Sequence, residues 1–225
     1  MQRRSFLART AGAAAALGAA PTLGGPVEAS PQQPASPDQW LSRMTAPHRC
    51  FFDFTAHGDG APLIQMWNYF GTYREVYGQQ SNTINAIGSF YGAPGGGASM
   101  PLAWNDLVWE KYRIGELMNL VDPDTRAPTK RNLFFRPRAG DPVFMSGAVT
   151  GAGIENLQRL GATFLMCNNA LRAWMAFLSG NGTKGNAAEI EREIRANLIP
   201  GVIPVPAMVI AIEKAQEKGI AYKRQ

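Results

Sequence analysis

The residue with the plainest chemistry in this chain is a cysteine that closes one apolar run just before another begins. In Gly161-Ala-Thr-Phe-Leu-Met-Cys-Asn-Asn-Ala-Leu-Arg172, the first half reads as a buried strand, and the half from Asn168 has the cap and spacing of a helix start. Cys167 then stands at the carboxyl end of a strand, where ligands and chemistry collect in an open α/β sheet. Backbone N–H groups and the positive end of a helix dipole would favour a thiolate there, and so a nucleophile. The bland alternative is a small buried hydrophobe, because free cysteine is among the most buried residue types.

Other residues gather around the same edge. The amides of Asn168 and Asn169 would stabilise an anionic sulfur. His57 and Asp59 lie in the loop Thr55–Gly60 after a first strand, on the edge that Cys167 shares if the sheet is parallel. His57 would take the thiol proton or hold a ligand, against the ordinary reading of a solvated loop histidine. The run Gly92–Ser99, with Gly95 and Gly96 at its centre, lacks the Lys-Ser/Thr of a phosphate loop and the full dinucleotide fingerprint. It would cradle a small anion at the next helix start, or be a mobile loop. Trp104 and Trp174 would line a pocket at this edge, although the set Trp67, Trp104, Trp109, Tyr112 and Trp174 suits the core and subunit contacts. Two histidines and two separated cysteines show no structural zinc spacing, and there is no haem-attachment motif, so neither a metal nor a cofactor is expected.

The elements that must position these residues alternate strand and helix. Strands are expected over His48–Phe54, Thr83–Tyr91, Thr163–Cys167, Gly201–Pro206 and Ile220–Tyr222. Helices are expected over Ala61–Tyr77 (apolar at Leu63, Trp67, Phe70 and Val76), Pro101–Met118, Gly151–Leu160, from Asn168 onward, from Asn186 and over Ala207–Lys218. Asn186 and Glu189 form a capping-box pattern, and Glu191 with Arg195 an i,i+4 pair. Pro204 cannot donate to a ladder, which puts its strand at an edge or beside a bulge. The fold class is therefore α/β: one domain, a mostly parallel sheet of about five strands with helices on both faces, in the flavodoxin-like manner. Residues 122–149 form a long irregular loop rich in Arg and Lys around Leu133-Phe134-Phe135. Loops of this length are more often functional than idle. Contact of 126–138 with an acidic partner or a membrane surface is the less favoured reading of it, behind a loop that tucks its phenylalanines onto the body.

The 225 residues, 45% hydrophobic, suffice for one sizeable core. The net charge is +5. Removing three positive charges (Arg3, Arg4, Arg9) and one negative (Glu28) with the leader leaves +3, too mild to argue for nucleic acid. That leader is Met1-Gln-Arg-Arg-Ser-Phe-Leu7 followed by a weakly apolar alanine-rich run, the marks of a twin-arginine export signal. Residues 1–29 are read as the signal, with cleavage after Ala29, and 30–46 as a linker with a short helix over Asp38–Met44, which gives a periplasmic or otherwise exported domain over 47–225. In an oxidising compartment Cys50 and Cys167 raise the question of a disulfide. Placed two to four residues apart along parallel strands, about 7–13 Å, they are expected to stay free thiols.

Three ordered blocks, Gly161–Arg172, Leu198-Ile-Pro-Gly-Val-Ile-Pro-Val-Pro206 and Ala215-Gln-Glu-Lys-Gly-Ile-Ala-Tyr222, resemble the DsrE/DsrF-like proteins, small α/β proteins of sulfur metabolism. The likeness covers the last third of the chain, and Phe51–Tyr77 in pattern. It implies a homo-oligomer whose cysteine, here Cys167, accepts sulfane sulfur as a persulfide from a donor protein or small molecule. The export signal, the long loop and Gly180–Gly185 depart from the family's pattern. A second reading, from the residues alone, is a non-catalytic module that binds a ligand or partner at the sheet edge.

Overall fold

The computed structural model describes residues 36–180 and 185–225, and Ser36–Gln225 form one compact unit. The expected signal and cleavage site lie outside the described residues. The short helix expected over Asp38–Met44 is a 3-10 helix at Gln39–Arg43, and Trp40, Met44 and Ala46 are buried, so the folded body takes in the end of the segment read as linker.

Five strands, β1 (His48–Asp53), β2 (Ile84–Phe90), β3 (Ala162–Cys167), β4 (Val202–Val205) and β5 (Ala221–Arg224), form one sheet in the order β4-β3-β2-β1-β5, parallel throughout. The apolar runs that announced them are buried on both faces in β2 and β3, as parallel strands between helix layers require. Pro204 lies in β4 at the edge, where its missing donor costs nothing.

The α-helices are α1 (Ala61–Glu75), α2 (Asp106–Lys111), α3 (Ile114–Leu117), α4 (Phe144–Gly147), α5 (Ile154–Leu160), α6 (Asn168–Gly180), α7 (Ala187–Ala196) and α8 (Met208–Glu217). The chain moves one way from β1 to β4, then returns through α8 to the far side of β1. Right-handed crossovers in opposite directions put their helices on opposite faces. Phe52 meets Tyr69 edge-on at 5.4 Å, which fixes α1 on the face that Phe52 shares. There Phe90 stacks on Phe164 at 5.1 Å, and Gly88 makes room: a Cβ on it would stand 2.7 Å from the Phe164 ring.

Two expected elements differ. The helix over Pro101–Met118 is three pieces: a 3-10 turn at Met100–Ala103, α2 capped by the Asn105 side chain on Val108 N–H, and α3. Arg113, at φ 53° in the left-handed region, breaks α2 from α3. On α1 the expected apolar stripe holds for Leu63 and Phe70, whereas Val76 is 73% exposed. The capping box of Asn186 and Glu189 is present, and Arg195 pairs with Glu191 at 2.6 Å.

Residues 122–149 are held down. Leu133 and Phe134 are fully buried, Arg136 lies over Phe135 and pairs with Glu155, and Lys130 pairs with Glu110. Arg131 forks onto the fully buried carboxylate of Asp141, with Nη1 3.1 Å from Oδ2. Within this segment α4 is a left-handed turn, with φ of 54°, 57° and 59° at Phe144, Met145 and Ser146. No helix among the described residues is long and apolar enough to cross a membrane.

Candidate functional site

Cys167 ends β3, and the next residue opens α6, so the cysteine sits in the N-cap position of a 13-residue helix. Its Sγ accepts the N–H of Ala170 at 3.5 Å, the bond that a serine or asparagine oxygen makes at an ordinary cap. An N-cap acceptor faces the unpaired N–H groups and positive end of the helix, a setting suited to hold negative charge on sulfur. The residue is 6% exposed, against 1% for Cys50.

The helix start also organises its two asparagines. The Asn168 amide oxygen accepts from Arg195 Nη1 at 2.9 Å, which ties α6 to α7 and brings a guanidinium within one residue of the cysteine. Asn169 accepts from Arg172 within its own helix at 3.4 Å and is exposed. Cys167 pairs in register with Val205 of β4.

The two thiols are free, for a stronger reason than the expected offset. Cys50 pairs with Ala86, and Ala86 with Ala162, so Cys167 lies five residues further along, not two to four. Residues in register share a face and alternate along a strand. An odd offset therefore puts the thiols on opposite faces of the sheet, with β2 between their strands. Burial pushes the Cys50 thiol up to about 11, with Lys223 opposing.

The structure does not bring His57 to Cys167. It follows β1, two strands away from β3, and both ring nitrogens are engaged: Nδ1 accepts the Asp59 N–H at 3.1 Å, and Nε2 donates to Gly96 O at 2.8 Å. The ring is buried, edge-on to Phe134 at 5.5 Å. His57 is thus a clasp between the loop after β1 and the glycine-rich loop, with no lone pair left for a thiol proton. Asp59 lies beside it at φ 48°, its side chain exposed.

The glycine-rich loop, read as an anion cradle or a mobile loop, is instead tied to its neighbours. Gly96 and Gly97 give their carbonyls to His57, a Cβ on Gly96 would stand 3.0 Å from Leu117 O, and the helix that follows is a single 3-10 turn. Gly95 is exposed. Trp104 and Trp174 meet edge-on at 5.2 Å and are fully buried, and Trp174 Nε1 donates to Gly92 O. They pack the core at this edge. Among the described residues no cluster of histidine, cysteine and carboxylate side chains could hold a metal ion.

Scans of family models, curated proteins and solved structures return no match. The resemblance to the DsrE/DsrF-like proteins accordingly rests on the three sequence blocks.

One polar constellation escaped the sequence reading. Asp53, buried at the end of β1, accepts Ser89 Oγ at 3.1 Å and Tyr222 Oη at 2.8 Å, and hydrogen-bonds Tyr91. Burial and that bond push the Tyr91 phenol up; the bond to Asp53, then burial, do the same for Tyr222. By register Asp53, Ser89 and Tyr222 share the face of Cys167, and Tyr91 and Cys167 each stand one residue past the pair Phe90–Met166. The signal was a lone carboxylate closing the apolar run Cys50-Phe-Phe-Asp53.

Proposed function

We propose that this chain handles sulfane sulfur, with Cys167 as the carrier in the manner of the DsrE/DsrF-like proteins and, on the strength of its leader, outside the cytoplasm. The observation that carries the reading is the cysteine sulfur at the N-cap of α6, accepting a main-chain N–H. Both thiols are buried; Cys50 supplies the contrast, lying in the opposite face with its sulfur donating to Phe51 O and its thiol pushed by burial to about 11.

The chemistry balances without an added oxidant. The Cys167 thiolate attacks the outer sulfur of a polysulfide or persulfide; the new S–S bond forms as the old one breaks, and the donor's remaining sulfur leaves with the electron pair. An acceptor thiolate then attacks the outer sulfur of the Cys167 persulfide and releases Cys167 unchanged. The Ala170 N–H and the opening turn of α6 would stabilise the anion at each stage. The burial of Cys167 favours a small donor over a bulky one. The expected homo-oligomer would use the exposed apolar residues Val209 and Ile210 on α8.

Incubation with polysulfide followed by intact-mass and peptide mapping tests the reading. One added sulfur on Cys167, lost in Cys167→Ser with the fold retained, supports it; equal labelling of Cys50, or none at either thiol, rejects it. The non-catalytic module remains the second reading, favoured by a groove along α1, lined by Phe52, Tyr69, Tyr73 and Lys223 and remote from Cys167.

A further inference from the structure

The loop that leaves β1 holds a buried histidine with one exchangeable bond. His57 stands at the N-cap of the 3-10 turn Gly58–Gly60, and Gly60 in turn is the N-cap of α1. The main-chain N–H of His57 donates to Gly97 O at 3.0 Å, and its carbonyl accepts from Gly60 N–H at 2.8 Å. On the ring, Nε2 donates to Gly96 O at 2.8 Å and Nδ1 accepts from Asp59 N–H at 3.1 Å. The first three bonds survive a change of charge on the ring. The last does not, because it needs the lone pair on Nδ1.

The arrangement requires the neutral tautomer with its proton on Nε2. A proton arriving at Nδ1 turns that acceptor into a donor, and two N–H groups then face each other across the 3.1 Å gap. The ring is buried, so a positive charge on it needs a partner. One is in place: Asp59 Oδ1 lies 3.5 Å from Nδ1, on a side chain exposed enough to turn inward. Asp59 is the one carboxylate within 4 Å of a ring nitrogen among the described residues. The other elements packed on the ring meet it with uncharged groups, the glycine-rich loop with main-chain carbonyls and the segment over 122–149 with the Phe134 ring, edge-on.

Asp59 thus offers two partners to one nitrogen, its N–H to the neutral ring and its carboxylate to the protonated one. Its backbone sits at φ 48°, in the left-handed region unfavourable to most residues other than glycine. The bond from its N–H to Nδ1 helps to hold it there, and losing that bond loosens the turn. Gly60, which ends the turn, lies close against Phe144: a Cβ on it would stand 2.7 Å from the ring.

We propose that His57 and Asp59 form a proton-operated latch, in which protonation of His57 exchanges the Asp59 N–H for the Asp59 carboxylate and opens the turn in front of α1. Histidine is the side chain whose ordinary change of charge falls between about pH 5 and 8, which sets the window for the test. Heteronuclear NMR of the full chain across that window follows the imidazole nitrogens and the Asp59 amide together, with the signals of His48 identified by His48→Gln. The expected result is the Nε2–H tautomer at the alkaline end and an Asp59 amide resonance that moves with the midpoint of His57. Asp59→Asn keeps the main-chain donor, tolerates the left-handed backbone and lacks the charge, so it should move that midpoint to lower pH. The Nδ1–H tautomer at the alkaline end, an Asp59 amide indifferent to the titration, an unchanged midpoint in Asp59→Asn, or a His57 that stays neutral throughout the window would each overturn the proposal.

Discussion

The two cysteines show how position on a sheet decides what a thiol can do. Cys167 has a hydrogen-bond donor and a helix terminus at its sulfur, whereas Cys50 has apolar neighbours that penalise its charged form. The folded state holds the Cys50 proton up to about pH 11, and the unfolded chain releases it near 9. Between those values the native state binds more protons than the unfolded one. The contribution of Cys50 is therefore full below about pH 9 and is lost as pH rises through 11, at up to about 1.4 kcal/mol per pH unit. Denaturant midpoints of the wild type should fall relative to Cys50→Ala across that window; a constant gap would contradict the burial of this thiol. Tyr69 is pushed up by burial and then by the charge on Cys50, so Cys50→Ala eases its shift as well and the change in gap reports the two groups together. Cys167 was legible in the sequence because an apolar run, a cysteine and a helix start stood in order, although the cap is the cysteine and not Asn168. The engagement of His57 was not: both of its partners are main-chain groups, Asp59 N–H and Gly96 O, and main-chain groups carry no residue-type signal.

Among the elements, the strands were the most readable because a parallel sheet buried on both faces needs continuous apolar runs. The stretch after β2 was not. Trp109, Tyr112 and Leu117 keep a helical spacing through a chain that reverses its backbone sign at Arg113, and periodicity is blind to that change. The stripe of Tyr69, Tyr73 and Tyr77 along α1 was also visible at one-turn intervals, but an apolar pattern through Trp67 and Val76 drew the reading away from it. The left-handed turn of α4 is the largest local departure from ordinary backbone geometry. Three successive non-glycine residues at φ between 54° and 59° each cost about 1–2 kcal/mol relative to glycine's freedom there. Ser146 is exposed, so Ser146→Gly should stabilise the protein by about 1 kcal/mol and raise Tm by about 2–4 °C. An unchanged or lower Tm would mean that the turn is not left-handed.

For the whole molecule, the long segment over 122–149 is part of the body, fastened by the fork of Arg131 onto Asp141. Asp141 is fully buried and also accepts the N–H of Arg138 at 2.7 Å. Arg131→Ala would strand that carboxylate and should cost about 3 kcal/mol, seen as a shift in the guanidinium midpoint; a loss below about 1 kcal/mol would mean that the loop is anchored elsewhere. The segment tucks its phenylalanines onto the body, the favoured reading of its sequence, while Lys130 and Arg136 pair at the surface with Glu110 and Glu155 and Arg131 pairs within the segment with buried Asp141. The same assembly sets one buried sulfur at a helix start and the other, in mid-strand, in the opposite face. The most direct test is the mass of the folded chain after polysulfide treatment and removal of excess reagent. The account expects one added sulfur, mapped to Cys167, released by an acceptor thiol and missing in Cys167→Ser; a folded protein whose mass does not change, or whose added sulfur maps to Cys50, would contradict it.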